Sequence, residues 1–548
     1  MANEYEGLSR EELVALLRRK DSQAQYGLVW EQKDIAPDKA VNRDFVGLTL
    51  DPALSCGEGP WSNLIIEGDN YDALRNLVSC YAGQVKLIYI DPPYNTGRRD
   101  FVYNDHYFDA TDRFRHSTWL EFMYQRLRLA KDLLAKDGAI FVSIDDNELF
   151  NLGLLMSKVF GEHNFIANCI WQKVYSPKNT AQHFSDDHEY LLVYAANKNL
   201  WRPNPVPRTA TQDRAYKNPD DDPRGPWKAS DLSARNPYSE GTYAITCPSG
   251  RVIPHPPSGR YWTVSAQKFA ELDADKRIWW GASGNNVPAV KRFLSEVRQG
   301  VVPQTLWTYE EVGHTQDAKK QLKEILPAAR SDEVFSTPKP LQLMERVLRL
   351  ATGPNDLVLD FFAGSGTLAH ALLKLNAEEG GQRRFILVSN TEATTDAPDK
   401  NLCRDVCATR VRRAIEGYGA GSSAVPGLGG QFAYLKTQTV PVHRMEEQLT
   451  DAMIWSFLQM RHDHPVTQVS GPLAISVHET EAIAYLSSAK KAGIAALQDA
   501  LAEHPELIVY AWSADALAGY MDSNNVRSVP ESLVRAFRFG HLTMGVSA

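Results

Sequence analysis

Residues 85–94 read Val-Lys-Leu-Ile-Tyr-Ile, followed at once by Asp-Pro-Pro-Tyr. Val85–Ile90 is short and almost wholly apolar, which is typical of a strand covered on both faces of a sheet. The two prolines cannot donate to a strand ladder and therefore end the strand. On either side, strand-like runs at 64–66 and 138–144 alternate with helical patterns over 70–79, 116–135 and 147–160. This alternation predicts an α/β domain with a parallel sheet.

The same alternation returns in the second half of the chain. Pro340–Leu350 predicts a helix, Asp356–Asp360 a strand, residues 367–376 a helix and Phe385–Ser389 another strand. After a Gly- and Ser-rich linker at 419–430, the pattern predicts helices near 443–460 and 479–503 and strands near 473–477 and 507–512. We therefore expect a second α/β half and a small α/β C-terminal domain.

The segment between the two halves, residues 165–330, has a different composition. It holds 15 of the 30 prolines and 7 of the 12 tryptophans, with 22 Lys and Arg against 17 Asp and Glu. Its net charge is +5 and that of the remaining residues is −13, so the total of −8 conceals a relatively basic segment. One part of it, His188–Tyr194, still has the pattern of a sheet strand.

Composition excludes several classes of protein. The apolar runs are far shorter than the ~20 residues of a membrane span, and the polar N-terminus does not read as a signal peptide. Six scattered cysteines in 548 residues suggest reduced thiols in a cytoplasm rather than a disulfide scaffold. Cys403 and Cys407 lie four residues apart, but no further Cys or His stands at ligand spacing, so we expect no metal site.

The turn after the first strand is rich in hydrogen-bond acceptors. Ligands of open α/β sheets bind beyond the carboxyl ends of the strands, where Asp91 stands. The Asp91 carboxylate and the Pro92 carbonyl can accept both hydrogens of an exocyclic amino group, and the Tyr94 ring can stack on the planar ring that carries it. The turn thus suits a neutral planar amine; the alternative is an ordinary strand-to-loop turn.

A second candidate site follows the strand at Asp356–Asp360. Residues 360–367 read Asp-Phe-Phe-Ala-Gly-Ser-Gly-Thr, and glycines between a strand and a helix allow close approach of a ligand to free N–H groups. The loop is neither a G-x-G-x-x-G fingerprint nor a Walker A loop. An acidic residue after the next strand would bind a ribose, and Glu392 has a suitable position, with Asn390 as the competing candidate.

Together these two motifs resemble those of the amino-methylating DNA methyltransferases that use S-adenosylmethionine. The catalytic motif precedes the cofactor loop by about 270 residues, which is the order of the family's beta class, and Asp in the first position is typical of adenine-N6 enzymes. Residues 335–340 resemble the family's motif near the methionine end of the cofactor, and residues 95–97 complete the extended form of the catalytic motif. An N-terminal helix with Tyr26–Trp30 and residues 63–70 and 141–148 are similar to segments of the modification (Mod) subunits of type III restriction–modification systems.

The resemblance implies a Rossmann-like methyltransferase fold with an inserted target-recognition domain and a small α/β C-terminal domain. It assigns catalysis to Asp91, Pro92, Pro93 and Tyr94. It assigns the S-adenosylmethionine cofactor to Asp360, Phe362, Gly364, Gly366, Glu392, Thr337 and Lys339. The expected domains are an N-terminal helix and arm at 1–60, the catalytic half at 61–199, the recognition domain at 200–330, the cofactor half at 331–420 and the C-terminal domain at 431–548.

The activity implied by the resemblance is sequence-specific methylation of adenine N6 in double-stranded DNA, with the target base flipped into the site. The expected protein is a cytoplasmic prokaryotic homodimer, without a membrane, that serves a restriction or other phage-defence system. One alternative is a catalytically silent DNA-binding or scaffold subunit, against which the intact motifs argue. Another is methylation of a planar amine in RNA or protein, against which the beta-class order and the large inserted segment argue.

Overall fold

The computed structural model describes residue 30 and residues 44–103, 106–109, 115–208, 210–297, 300–326, 337–394, 397–517, 519–521, 523–529 and 532–533. The N-terminal helix expected near Ser9, the motif Tyr26–Trp30 except Trp30, and Phe335 with Ser336 lie outside these residues.

The strands and helices are numbered in chain order. The strands are β1 (Phe45–Leu50), β2 (Leu64–Glu67), β3 (Val85–Ile90), β4 (Arg98–Tyr103), β5 (His106–Asp109), β6 (Leu134–Ile144), β7 (Phe165–Gln172), β8 (His188–Ala195), β9 (Trp227–Asp231), β10 (Ser233–Ala234), β11 (Ile245–Thr246), β12 (Val252–Ile253), β13 (Tyr261–Trp262), β14 (Ile278–Trp279), β15 (Ala289–Phe293), β16 (Leu306–Trp307), β17 (Leu357–Asp360), β18 (Arg384–Ser389), β19 (Gly417–Tyr418), β20 (Val425–Pro426), β21 (Ala433–Val440), β22 (Leu473–His478), β23 (Glu481–Leu486), β24 (Ile508–Ala511) and β25 (Val526–Ser528). The helices are α1 (Asn70–Tyr81), α2 (Arg115–Leu133), α3 (Leu149–Phe160), α4 (Ala210–Asp213), α5 (Ala266–Ala274), α6 (Tyr309–Val312), α7 (Thr315–Ile325), α8 (Leu341–Ala351), α9 (Thr367–Glu379), α10 (Thr409–Glu416), α11 (Met445–Gln448), α12 (Asp451–Arg461) and α13 (Lys491–Glu503).

In the part of the chain that the structure describes, the main sheet has ten strands in the order β1-β21-β2-β18-β17-β3-β6-β8-β7-β16. Its six central strands, from β21 to β6, are parallel, as the alternating pattern predicts. At the two ends, β1 runs antiparallel to β21, and β8 runs antiparallel to both β6 and β7. The sheet is therefore mixed, and the prediction of an α/β fold is confirmed.

Both faces of the central strands are buried. Ile88 and Ile90 of β3 join a core cluster that includes side chains of α1, α2, α3 and α12. The intervening Leu87 and Tyr89 point to the other face and are also buried, because side chains alternate along a strand. Burial on both faces explains why β3 is a nearly continuous apolar run.

The chain divides into two compact units, Pro203–Pro303 and the remainder. The smaller unit contains the three-stranded sheet β14-β15-β9 and the two-stranded sheets β10-β13 and β11-β12, with a core of its own that includes Trp262, Ile278 and Trp280. It is shorter than the expected recognition domain at 200–330, because β16 pairs in parallel with β7 and so belongs to the main sheet.

The C-terminal part forms a second sheet in the order β22-β23-β24-β25. The expected helix over 479–503 is wrong in its first third, where β23 pairs antiparallel with β22. Glu479 adopts a positive φ of 50° in the two-residue turn between them, a conformation that suits a tight hairpin and not a helix. The expected C-terminal domain at 431–548 also contains β21, which lies inside the main sheet between β1 and β2.

Candidate active site

The two motifs found in the sequence end neighbouring strands. β3 pairs in parallel with β17, with Leu87 opposite Val358 and Ile88 opposite Leu359. Asp91 follows β3 directly, and Asp360 is the last residue of β17. Because both strands run in one direction, the Asp91–Tyr94 turn and the 360–366 loop lie side by side at the carboxyl edge of the sheet.

Hydrogen bonds to Trp119 and Glu148 hold the Asp91–Tyr94 turn and the residue that follows it. The indole Nε1 of Trp119, a fully buried residue of α2, donates to the Pro93 carbonyl at 2.7 Å. Asn95, buried and with a positive φ of 56°, donates through Nδ2 to Glu148 Oε1 at 2.5 Å. The Pro92 carbonyl accepts no hydrogen bond from any residue that the structure describes. The turn is thus rigid, while one of its acceptors stays available.

Four charged side chains and one phenol form a connected cluster, which we call the acid–lysine cluster: Asp91, Tyr94, Lys173, Glu189 and Lys339. The Tyr94 hydroxyl and the Lys339 ammonium each lie 2.8 Å from Asp91 Oδ1. Glu189 Oε2 lies 2.9 Å from the Tyr94 hydroxyl and 3.2 Å from Lys339 Nζ, and its Oε1 lies 3.2 Å from Lys173 Nζ. The other oxygen of Asp91, Oδ2, has no hydrogen bond to a described residue, and the side chain is 21% exposed.

The two carboxyl groups of this cluster differ in their electrostatic surroundings. Burial raises the pKa of Asp91 above its ordinary value, which Lys339 opposes and Glu189 reinforces. Burial also acts to raise the pKa of Glu189, but Lys339 and Lys173 outweigh it, so that this pKa is lowered. Burial and both carboxylates raise the pKa of the Tyr94 hydroxyl well above its ordinary value. Tyr94 therefore acts as a neutral phenol, and a proton taken up by the cluster goes to Asp91.

The residues expected at the methionine end of the cofactor lie in different surroundings. Thr337 is exposed, whereas Lys339 is buried and places its ammonium on Asp91 and Tyr94. Despite its burial, the two carboxylates raise the pKa of Lys339. Lys339 is therefore a cation of the Asp91–Tyr94 turn, a position that the sequence did not suggest.

The loop after β17 has the backbone expected of a ligand cradle. Gly364 and Gly366 have positive φ values of 51° and 74°, which residues with a Cβ rarely adopt. Asp360 is buried; its Oδ1 accepts from the Phe362 amide at 3.0 Å, and its Oδ2 has no hydrogen bond to a described residue. Burial raises the pKa of Asp360 well above its ordinary value, and the neighbouring Asp91 adds to the rise.

A buried arginine, Arg410, donates hydrogen bonds to this loop. Arg410 of α10 donates through Nη1 to the Ser365 hydroxyl at 3.0 Å and to the Thr367 hydroxyl. Burial lowers its pKa to about 10, which still leaves the guanidinium charged at neutral pH. Arg410 thereby ties the loop to the start of α9.

The acidic residue expected at the ribose lies on the loop that follows β18. Glu392 is exposed, has a positive φ of 51° and pairs with Lys400 at 2.7 Å. The competing candidate, Asn390, is also exposed, and its carbonyl accepts from the Cys403 amide. Neither side chain is fixed in the core, so each is free to turn toward a ligand.

Sequence reasoning missed Glu189, Lys173 and Arg410. The available signal for Glu189 was a carboxylate at the second position of the apolar run His188–Tyr194, where a buried charge needs a partner. Within the described ranges, no group of three or more His, Cys, Asp and Glu residues could hold a metal ion. Nor does any described helix combine the length and apolar character that a bilayer span requires.

Comparison with known proteins gives three informative relatives. The chain is 38% identical over 360 residues to the type III restriction–modification enzyme StyLTI Mod subunit of Salmonella typhimurium, covering 61% of this chain and 53% of the relative. It is 32% identical over 379 residues to the EcoPI Mod subunit of Escherichia phage P1, covering 60% and 58%. The chain thus spans only somewhat more than half the length of these relatives.

The third relative is shorter. The type II methyltransferase M.KpnI of Klebsiella pneumoniae is 31% identical over 352 residues, which cover 61% of this chain and 82% of the relative. Among solved structures, the PvuII DNA methyltransferase (cytosine-N4-specific) matches with a TM-score of 0.34 and 14% identity, covering 65% of this chain and 95% of that one. A family model described as DNA methylase matches residues 85–392, from β3 through the two motifs to Glu392. Since this match takes in more than half of the chain, the protein belongs to the DNA methylase family of N6 and N4 methyltransferases.

Proposed function

We propose that the protein methylates adenine N6 in double-stranded DNA and takes the methyl group from S-adenosylmethionine. The observation that carries this proposal is the pairing of β3 with β17. It joins an acceptor turn suited to an amino group and a glycine loop suited to a cofactor, although about 270 residues separate them in the chain. The Mod and M.KpnI relatives support the same activity.

In this proposal the amino group binds at Asp91 and Pro92. Adenine N6 is a weak nucleophile because its lone pair is delocalised into the ring. Hydrogen bonds from N6 to the free Asp91 Oδ2 and the Pro92 carbonyl draw the nitrogen toward tetrahedral geometry and direct its lone pair. The ring of Tyr94, which is half-buried, stacks on the flipped base. Positioning of this kind supplies much of the rate.

The residues of the 360–366 loop fit the proposed cofactor. The positive φ values of Gly364 and Gly366 open the backbone, and Asp360 Oδ2 is a free acceptor for a cationic group. In this proposal Phe362, within the loop, contacts the cofactor, Glu392 turns to the ribose hydroxyls, and Thr337 contacts the methionine end. When bound, S-adenosylmethionine supplies a methyl group on a positively charged sulfur. Lys339, held at Asp91, orients the catalytic turn in this proposal.

Sequence recognition is proposed for the Pro203–Pro303 unit. On its three-stranded sheet, Lys228 of β9 stands directly opposite Arg292 of β15, and both are exposed. Like charges opposite each other destabilise a sheet, and a phosphate backbone would relieve that repulsion. We propose that this pair contacts DNA phosphates.

The family resemblance also supports proposals about partners. We propose a homodimer in a prokaryotic cytoplasm, with one subunit holding the target base while the other reads sequence. The similarity to Mod subunits of type III systems supports work with a restriction or other defence partner. Light scattering of the purified chain, alone and with duplex DNA, tests the dimer, since a monomer in both samples contradicts it.

The activity is tested by expressing the chain in a host that lacks adenine methylation and sequencing its DNA with a method that detects N6-methyladenine. We expect the modified base at one sequence motif with the wild type and no modification with Asp91→Ala. Purified chain, tritiated S-adenosylmethionine and unmethylated plasmid DNA provide the matching assay in vitro. Duplex binding without methyl transfer would instead support the silent DNA-binding subunit, and transfer by Asp91→Ala would contradict the assigned catalytic turn.

A further inference from the structure

We propose that Glu189 is a positioning residue for methyl transfer, which holds the Lys339 ammonium and the Tyr94 hydroxyl so that Asp91 keeps one oxygen free for the amino group. This inference rests on the proposed function. Glu189 lies in neither of the two sequence motifs, and it reaches the site from another strand of the sheet, β8.

The topology of the sheet explains how Glu189 reaches Asp91. β6 lies beside β3 in parallel, and β8 lies beside β6 in the opposite direction. The first residues of β8 therefore stand at the edge where β3 ends. Glu189 is the second residue of β8 and points into the acid–lysine cluster, with a side chain that is only 12% exposed.

The hydrogen bonds of the cluster show what Glu189 constrains. The Tyr94 hydroxyl has one proton and lies within 2.9 Å of two carboxylates, while it accepts a hydrogen bond from Lys339 Nζ at 2.8 Å. Contacts on three sides fix the phenol oxygen and hence the outer end of the ring that would stack on the base. Without Glu189, the hydroxyl and the ammonium would have Asp91 as their sole carboxylate partner in the cluster.

The two lysines of the cluster are shared unequally between its two carboxylates. Two carboxylates face two lysines, but Glu189 contacts both lysines, whereas Asp91 contacts only Lys339. Glu189 thus takes up part of the Lys339 charge that would otherwise act on Asp91 alone. The result is an Asp91 carboxylate that remains a strong acceptor, because a carboxylate fully neutralised by a lysine is a weaker one.

The experiment compares Glu189→Gln and Glu189→Asp with the wild type. Methyl transfer to unmethylated plasmid DNA is measured in single turnovers at saturating S-adenosylmethionine from pH 5 to pH 9, and cofactor affinity is measured by calorimetry. The two carboxylates share the Tyr94 hydroxyl, and the charge of Glu189 raises the pKa of Asp91, so removal of that charge should lower the Asp91 pKa. Asp146→Asn is the matched control, because this exposed acid near the same edge bonds to Tyr190.

For Glu189→Gln we expect the acid limb of the rate profile to move to lower pH and the plateau rate to fall at least tenfold, with unchanged cofactor affinity. Glu189→Asp keeps the charge and should keep the acid limb near that of the wild type, as should Asp146→Asn. A merely structural role would lower the rate in both Glu189 variants without moving the limb, and that result overturns the inference. No transfer by the wild type would instead refute the proposed function itself.

Discussion

Lys339→Met removes the cation on which the acid–lysine cluster depends. The side chain is 8% exposed and lies 2.8 Å from Asp91 and 3.2 Å from Glu189. Removing one member of a buried ion pair costs about 3–5 kcal/mol, because the remaining charge stays buried without a partner. Asp91 is 21% exposed and Glu189 keeps Lys173, so we expect a value near the lower limit, about 3 kcal/mol. Methionine keeps the length of the side chain, so packing changes little.

The loss should depend on pH in a defined direction. Without Lys339, the pKa of Asp91 rises further above its unfolded value of about 4. A carboxyl group with a raised folded pKa destabilises the folded state above its unfolded pKa. The stability deficit of Lys339→Met is therefore largest near neutral pH and shrinks as the pH falls toward about 4. Methyl transfer at pH 7 should fall at least tenfold, because Asp91 ionises less readily.

Thermal unfolding at a series of pH values measures this deficit. For a cooperative unit of roughly 450 residues, about 3 kcal/mol corresponds to a lowering of the midpoint by about 3 °C at neutral pH. Lys374→Met is the matched control, because Lys374 is 35% exposed and pairs with Glu345, a contact worth less than about 1 kcal/mol. If Lys339→Met unfolds like Lys374→Met at all pH values, or retains full activity, the five side chains of the cluster do not act as one electrostatic unit.

Three further substitutions test the surroundings of the site. Arg410→Met removes two hydrogen bonds to the hydroxyls of Ser365 and Thr367. It should weaken S-adenosylmethionine binding about tenfold in calorimetry. Equal affinity would show that cofactor binding does not depend on these hydrogen bonds. Glu392→Gln should weaken cofactor binding by about tenfold. The thermal midpoint should not change, since the ion pair of Glu392 with Lys400 is exposed. Unchanged cofactor affinity would show that Glu392 does not bind the ribose. Trp119→Phe removes the hydrogen bond to the Pro93 carbonyl, which is worth about 1 kcal/mol. It should lower kcat severalfold with little effect on KM for the cofactor. An unchanged kcat with a raised KM would contradict the role of Trp119 in fixing the turn.

The sequence was sufficient where the signal is local. β3 and β17 are apolar runs that end at a conspicuous turn, and parallel strands bring such turns to one edge. The glycine loop at 360–366 could be located for the same reason, because its glycines stand between a strand and a helix. The helix expected over 479–503 failed because the residues before Lys491 alternate in a hairpin, which only the pairing of β22 with β23 reveals.

The rest of the site depends on contacts between distant residues. Glu189 lies 98 positions from Asp91, and Lys339 lies 248 positions from it. Lys339 stands between two prolines just before a helix, and this local sequence does not indicate which carboxylate the lysine contacts. Glu189 enters on a strand that reverses the direction of the sheet, so the rule that ligands bind beyond the carboxyl ends of strands points away from it.

The cluster solves an electrostatic problem that neither a lone carboxylate nor a simple ion pair can solve. In the proposed reaction, positive charge develops on the amino nitrogen as the methyl group is transferred, and an ionised Asp91 would stabilise it. A lone buried carboxylate would hold a proton at neutral pH, whereas Asp91 paired with Lys339 alone would be ionised but neutralised. Glu189 shares Lys339 with Asp91 and is itself balanced by Lys173. In the proposed mechanism, the antiparallel strand β8 has a part in the chemistry, because it delivers a second carboxylate to an edge where the parallel strands already supply the first.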